Sequence, residues 1–191
     1  MKLKEFNFEY ISNDIKIRSL CLSDIDNNFE LLKKWNIKEE NREKLTDDEI
    51  KSIINCNNQS NLFMKTIMFL IFKNSKLIGS FIIFSDDSIK FKESIYNKQV
   101  YNIVFNFIDE IGSTDISTFI RLSIDALKFF RLRIKTLYSF KIYHGHLKNN
   151  FLENGFEELE TEYFYSKNEK FLEKRGFENS YKISSIFIKN I

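Results

Sequence analysis

Ile134 to Phe156 reads IKTLYSFKIYHGHLKNNFLENGF, and the class of fold is decided there. Leu132 to Tyr143 carries a run of apolar and aromatic residues whose length suits a strand. Leu147 to Asn154 then reads as a short helix. Gly155 closes it, since glycine enters the left-handed conformation of helix ends without steric cost, and Phe156 follows as the apolar residue that packs back on the last turn. A strand running straight into a helix predicts an α/β chain.

Moving upstream, Ser113-Thr114-Asp115 offers several N-caps for a helix that carries Ile116, Phe119, Ile120, Leu122, Ile124, Leu127 and Phe130. Val100 to Ile108 is a strand before it, behind a polar loop from Asp86 to Lys98. Ile67 to Phe84, IMFLIFKNSKLIGSFIIF, is a hairpin hinged at Asn74-Ser75-Lys76, with Gly79 as a bulge or a point of close backbone approach. Phe6, Phe8 and Tyr10 alternate with polar residues and the pattern resumes at Ile15 and Ile17 after Ser12-Asn13-Asp14, a second hairpin. Between the hairpins lie two amphipathic helices. Ser23 with Asp26 is a capping-box start for one bearing Ile25, Phe29 and Leu32 before Trp35; Thr46 with Glu49 starts another bearing Ile50, Ile53 and Ile54.

Downstream, Phe156 to Tyr165 and Tyr181 to Ile188 read as strands. Between them FLEKRGF, Phe171 to Phe177, repeats the helix-plus-Gly-Phe ending. Only residues 178–191 follow that second copy, too few for two closing strands, so the first copy is taken as the structural one and residues 168–179 as an insertion in the last hairpin.

The chain has 191 residues and a mass of 23.0 kDa, which sets the expectation of a single domain. Its 21 Phe, 5 Gly and 0 Pro, with abundant Ile, Lys and Asn, point to an AT-rich coding genome, so Asn57-Asn58 and Asn149-Asn150 are read as compositional drift. A net charge of +2 lacks the strong positive bias of a dedicated phosphate-backbone binder, so no nucleic-acid partner is expected. Lys128, Arg131, Arg133 and Lys135 cluster where the central helix ends. They serve either that helix's negative C-terminus or a contact to a nucleotide phosphate or an acidic carrier protein. Cys21 and Cys56 lack metal-ligand or disulfide-framework spacing, and no metal is expected. No apolar run is long enough to span a bilayer and MKLKEFNFEY lacks a signal-peptide core, so the expectation is a cytoplasmic protein without a membrane partner.

The segment quoted first resembles the acyl-chain-facing half of GNAT (GCN5-related) N-acetyltransferases. That family follows its fifth strand with an Asn, a small residue three positions on, and a helix ending Tyr-Glu-Lys-x-Gly-Phe. Here His144, Leu147, Phe151 and Gly155-Phe156 occupy those positions without a gap. The resemblance extends over the order of elements along nearly the whole chain. It implies a mixed, strongly twisted sheet of about seven strands flanked by helices, one GNAT-like domain over residues 1–191. It is weaker at the loop where the family carries Gln/Arg-x-x-Gly-x-Gly/Ala for the diphosphate of coenzyme A. The matching positions are Gly112, Ser113, Thr114, Asp115, Ile116 and Ser117, and Asp115 puts a carboxylate in place of the first glycine. As an N-cap, Asp115 would fill the anion site from within.

What the resemblance implies is transfer of an acetyl or similar group from acetyl-CoA or another acyl-CoA to an amine on a small molecule, a peptide or a protein N-terminus. The donor site is expected at Gly112 to Ser117, with Phe105 and Phe107 offering strand-edge backbone to the pantetheine arm and Phe151 in place of the family's tyrosine. His144 and His146 are the acid/base candidates, because imidazole as a side-chain type, with an unperturbed pKa of about 6.5, can take or give a proton near neutral pH; in an extended chain their i, i+2 spacing puts both on one face. Tyr138 and Tyr143 offer phenols, and Asn102 and Asn106 suit positioning a water or a substrate amide. Two other readings stay open: a donor carried as phosphopantetheine on an acyl carrier protein, and an inactive GNAT-like binding or scaffold module, for which a homodimer would speak.

Overall fold

The computed structural model describes residues 8–58, 66–85, 89–91, 100–129, 134–165 and 182–191. The elements in chain order are β1 (Glu9–Ser12), β2 (Ile15–Ser19), α1 (Leu22–Asn27), α2 (Phe29–Asn36), α3 (Glu39–Arg42), α4 (Asp47–Asn58), β3 (Ile67–Lys73) and β4 (Lys76–Phe84). There follow β5 (Ile89–Phe91), β6 (Val100–Phe107), α5 (Ser113–Phe129), β7 (Thr136–Phe140) and α6 (Lys141–His144). A 3-10 turn (Gly145–Leu147), α7 (Lys148–Glu153), β8 (Glu157–Tyr165) and β9 (Lys182–Asn190) complete the series. The class is α/β with a mixed sheet, as expected, and β5 adds a short strand where the sequence reading had a loop. The proposed insertion at 168–179, with its FLEKRGF motif, lies outside the described residues. The chain forms two compact units, Met1–Ile83 with Phe105–Ile111, and Phe84–Val104 with Gly112–Ile191.

In the first unit the strand order is β1-β2-β3-β4-β6. Both hairpins form where the turn residues predict them. Asn74 and Ser75 have φ of 49° and 65°, the positive pair that lets a two-residue turn match the twist of its strands, and Asn13 has φ 53°. Gly79 meets both expectations. The β3–β4 register shifts between Ile71 and Phe72 beside it, and a Cβ on Gly79 would lie 2.7 Å from Phe107 Cδ1 and 2.9 Å from the Asn106 carbonyl oxygen. Ile25, Leu32, Ile50 and Ile54 from the helices bury against Met68, Leu70 and Leu77 of the sheet.

Helix starts in this unit follow two different rules. Thr46 and Glu49 form the expected reciprocal cap, with Glu49 N–H donating to Thr46 Oγ1 at 3.3 Å and Thr46 N–H to Glu49 Oε2 at 2.8 Å. The Ser23–Asp26 cap is corrected. The box sits two residues earlier, on Cys21 and Asp24, whose Oδ2 accepts from Cys21 N–H at 2.8 Å. Arg18 on β2 selects Asp24 by donating to both its carboxylate oxygens, at 2.5 and 2.6 Å. The helix expected to run from Ile25 to Trp35 breaks at Asn28, which ends α1 and opens α2.

Burial would raise the Asp24 carboxyl. The Arg18 guanidinium, the Cys21 thiol and the Cys21 N–H outweigh it and hold the carboxyl below its ordinary value. A carboxyl lowered by folding adds stability above its unfolded pKa and loses it as pH falls through the folded value.

In the second unit the strand order is β6-β7-β9-β8-β5, with β6 and β7 parallel and β7–β9, β9–β8 and β8–β5 antiparallel. The strand expected to continue to Tyr143 stops at Phe140. β7's last partner is Ile186, and β9 runs on beside β8 alone, so the backbone beyond Phe140 closes its hydrogen bonds locally as α6. Helix α7 ends as the sequence predicts. Gly155, at φ 75°, donates to Leu152 O at 2.9 Å, and Phe156 N–H reaches back to Phe151 O at 3.1 Å. Phe156 then packs edge-on against Phe151 with ring centroids 4.7 Å apart, and Phe151 stacks on Phe187 at 5.0 Å and 7°.

Gly155→Ala is expected to cost about 1–2 kcal/mol by forcing a Cβ into the left-handed region. Gly79→Ala is expected to cost about 1–3 kcal/mol through its clash with backbone at Asn106. Urea denaturation of each variant measures both. Asp24→Asn should lose about 2 kcal/mol at neutral pH, the worth of hydrogen bonds to a charged group. The gap to the wild type should close as pH drops below about 4, the ordinary carboxylate range; a gap constant between pH 7 and pH 3 would disprove the linkage.

Candidate functional site

The second unit brings together the N-terminus of α5, the short helix α7 and the parallel pair β6–β7. Helix α5 begins with the Gly112 carbonyl accepting from Ile116 N–H at 3.1 Å, so Ser113, Thr114 and Asp115 make up its first turn. The expectation of Asp115 as N-cap is therefore corrected to Asp115 inside that turn. Ser113 to Ser117 is helix, not loop. Gly112 through Asp115 are exposed, and a Cβ on Gly112 would meet nothing within 4 Å. The first-turn amides lack the intrahelical acceptors available further along, which gives this end its partial positive charge. Asp115 sets a carboxylate in the same field.

Helix α7 holds this end of α5. The buried Asn150 carboxamide donates from Nδ2 to Ser113 O at 2.8 Å, Ser113 Oγ at 3.1 Å and Ser117 Oγ at 2.9 Å. Asn154 Nδ2 donates to Ser117 O at 3.0 Å, and Ser117 Oγ donates to Glu153 Oε2 at 2.5 Å. Asn150, at 4% exposure, is a structural tie and not the compositional drift its Asn-Asn run suggests. No pattern in the sequence marks it, because its partners lie more than thirty positions away. The Ser113 and Ser117 hydroxyls, within the expected donor site, are engaged by α7.

The two histidines are neighbours of unlike burial, their ring planes 28° apart. His144 closes α6 and is 1% exposed, with Nδ1 2.8 Å from Ser139 Oγ and its ring edge-on to Phe151 at 5.6 Å. His146, in the 3-10 turn, is exposed, and the ring centroids are 6.3 Å apart. The extended chain assumed for them is replaced by helical turns, which rotate successive side chains by less than the half-turn of a strand. Phe151, expected near a cofactor, is completely buried among Phe156, Phe187 and His144, which leaves it a packing role. Tyr138 lies in the core beside Phe140 and Ile186. Phe105 and Phe107 belong to the first unit, where their rings stack at 5.9 Å and 9°. Lys141 and Lys148 both pair with Glu158, the latter at 2.7 Å, and hold its carboxyl below the ordinary range. Lys128 pairs with Asp125 at 3.0 Å, while Arg131 and Arg133 of the basic cluster lie outside the described residues.

The pair β6–β7 is short. Its register runs through Val100–Thr136, Tyr101–Leu137 and Asn102–Tyr138, and stops there although both strands continue. From Ile103 onward β6 has no register partner on β7.

No family model and no curated protein matches the chain. Solved structures do. RimL, a ribosomal L7/L12 alpha-N-protein acetyltransferase in complex with coenzyme A, is 12% identical with a TM-score of 0.62, over 95% of this chain and 97% of that one. A GNAT-family acetyltransferase from Streptococcus pneumoniae is 14% identical with a TM-score of 0.52, over 93% and 99%. A chimera of spermidine N-acetyltransferase SpeG from Vibrio cholerae and hSSAT is 16% identical with a TM-score of 0.58, over 93% and 96%. The fold of this chain is the GNAT acetyltransferase fold. Among the described residues no helix is long and apolar enough to cross a membrane.

Asn150→Leu removes the donor that serves three oxygens while keeping the volume. It is expected to destabilise the protein by about 1–3 kcal/mol, the cost of leaving buried acceptors unpaired. Amide hydrogen exchange should quicken in α7 and the first turn of α5, and unchanged exchange there would show that α7 is held by Phe151 alone.

Proposed function

We propose that this protein is an N-acyltransferase, a single catalytic domain over residues 1–191 that moves an acetyl group from a coenzyme A thioester to a primary amine. The observation that carries the reading is the parallel pair that opens after Asn102–Tyr138 in the same unit as an exposed helix N-terminus, within a GNAT fold. One of the solved structures of this fold is described as holding coenzyme A, and two as acting on amines: a protein N-terminus and spermidine. An amine acceptor on a small molecule, peptide or protein N-terminus is the inference for this chain.

In this reading the amine nitrogen attacks the thioester carbonyl, a C–N bond forms, the C–S bond breaks, and the thiolate leaves. The amine must lose a proton and the thiolate must gain one. His146, exposed in the turn before α7, is the imidazole placed to exchange a proton with solvent; His144, hydrogen-bonded to Ser139, is the one held in position. Gly112 and the first-turn amides of Ser113 to Asp115 offer donors to the diphosphate, and Ile116 and Ser117 follow in the same helix, Ser117 tied to α7.

Asp115 opposes the diphosphate, and that observation favours a second reading, a donor presented as phosphopantetheine on an acyl carrier protein, which lacks the adenosine diphosphate portion. Calorimetric titration separates the two. Acetyl-CoA is expected to bind the wild type at micromolar Kd, and Asp115→Gly to tighten it about two- to fivefold, the worth of one charge at a helix N-terminus. Binding of free pantetheine without binding of acetyl-CoA supports the carrier-protein donor; binding of neither overturns the acyltransferase reading. With an accepted amine in hand, His146→Ala is expected to lower kcat by about 100-fold or more if it transfers the proton.

A further inference from the structure

Two buried side-chain oxygens lack a hydrogen-bond partner among the described residues, Ser80 Oγ and Asn102 Oδ1. Asn102 is the more telling, because of where it stands. It is 2% exposed, and it pairs with Tyr138 on the last rung of the β6–β7 ladder, at the point where the two strands part. A buried carboxamide oxygen has given up its water and normally recovers a hydrogen bond within the fold. This one does not among the described residues, and it stands at the rung beyond which β6 and β7 share no register.

Strand alternation fixes the face on which it stands. Partners across a parallel pair project to the same side, so Asn102 shares the face of Tyr138 and Phe140. Ser139 and its partner Phe187 project to the other face, where Phe151 of α7 stacks on Phe187. Asn102 therefore stands on the sheet face turned away from α7 and from the α5 turn that α7 holds. A carboxamide oxygen accepts from N–H or O–H and repels an anion, which rules out a phosphate as its partner.

We infer that Asn102 is a positioning residue whose Oδ1 accepts a hydrogen bond from an N–H of the ligand seated where β6 and β7 part. This rests on the acyltransferase reading, which supplies two N–H bearers: the amide groups of a pantetheine arm and the acceptor amine. The chemistry is shared, and the test separates the sources.

The experiment uses the full chain labelled with 15N, with the Asn102 side-chain amide signals assigned by their loss in Asn102→Leu. Free pantetheine and spermidine are titrated separately, and acetyl-CoA by calorimetry. A shift of the Asn102 signals on adding pantetheine assigns the partner to the donor arm, and a shift with spermidine assigns it to the amine. Asn102→Leu is expected to weaken the active probe about tenfold while its Tm stays level or rises, because the substitution removes an unpaired polar group without opening a cavity. A purely structural carboxamide would give the reverse, a fallen Tm with probe affinity unchanged. Signals that respond to neither probe, or a Leu variant that binds as the wild type does, overturn the inference. Should acetyl-CoA bind both forms equally with no shift at Asn102, the acyl-CoA reading stands and Asn102 falls. Should spermidine move Asn102 while acetyl-CoA fails to bind, Asn102 stands and the donor reading falls.

Discussion

The second unit depends on a helix too short to stand alone. Six residues of α7 cannot nucleate and hold a helix in water, so its order comes from what it packs against. One side is apolar: Phe151 lies flat on Phe187 and takes Phe156 on its edge. The other is polar, the Asn150 and Asn154 carboxamides gripping Ser113 and Ser117. Asn150 Nδ2 carries two protons and faces three acceptors, so at least one proton is shared and the geometry tolerates little rotation. The position of the α5 N-terminus is thus set by a chain of contacts that begins on β9.

That dependence explains which parts of the fold were legible. Gly155, the Asn74-Ser75 turn, Gly79 and the Thr46–Glu49 cap are local rules, each a backbone conformation or a reach of three residues, and a sequence carries them directly. Where a distant partner outbids the local rule, reading fails. Ser23 and Asp26 satisfy the capping pattern, yet Arg18, arriving from β2, places its guanidinium on Asp24 and moves the helix start. Leu132 to Tyr143 satisfies the strand pattern, yet only Thr136 to Phe140 has strand neighbours on β9.

The site was harder to read than the fold for the same reason, sharpened by composition. In a chain rich in asparagine, Asn150 looks like its neighbour Asn149, and only burial separates them: Asn150 is enclosed and Asn149 faces solvent. The histidine pair turns on a backbone condition. Their i, i+2 spacing implies one face only if the backbone is extended, and the end of β7 at Phe140 removes that condition before either histidine is reached.

Asp115 brings the two levels together. At the third position of a helix a carboxylate is stabilising, because it lies in the positive field of the first-turn amides and helps keep α5 helical from Ser113. The glycine that the family pattern carries at this position would weaken the same turn through its backbone entropy. A helix N-terminus cannot be neutralised from within and remain a strong anion site, so a substitution that steadies α5 must lower its affinity for a diphosphate. In the proposed reaction, stability of the helix and attraction for the nucleotide end of a donor pull against each other at one residue. Asn102 stands on the sheet face turned away from α7 and from the α5 turn that α7 holds, so the hydrogen bond proposed for it lies outside that conflict.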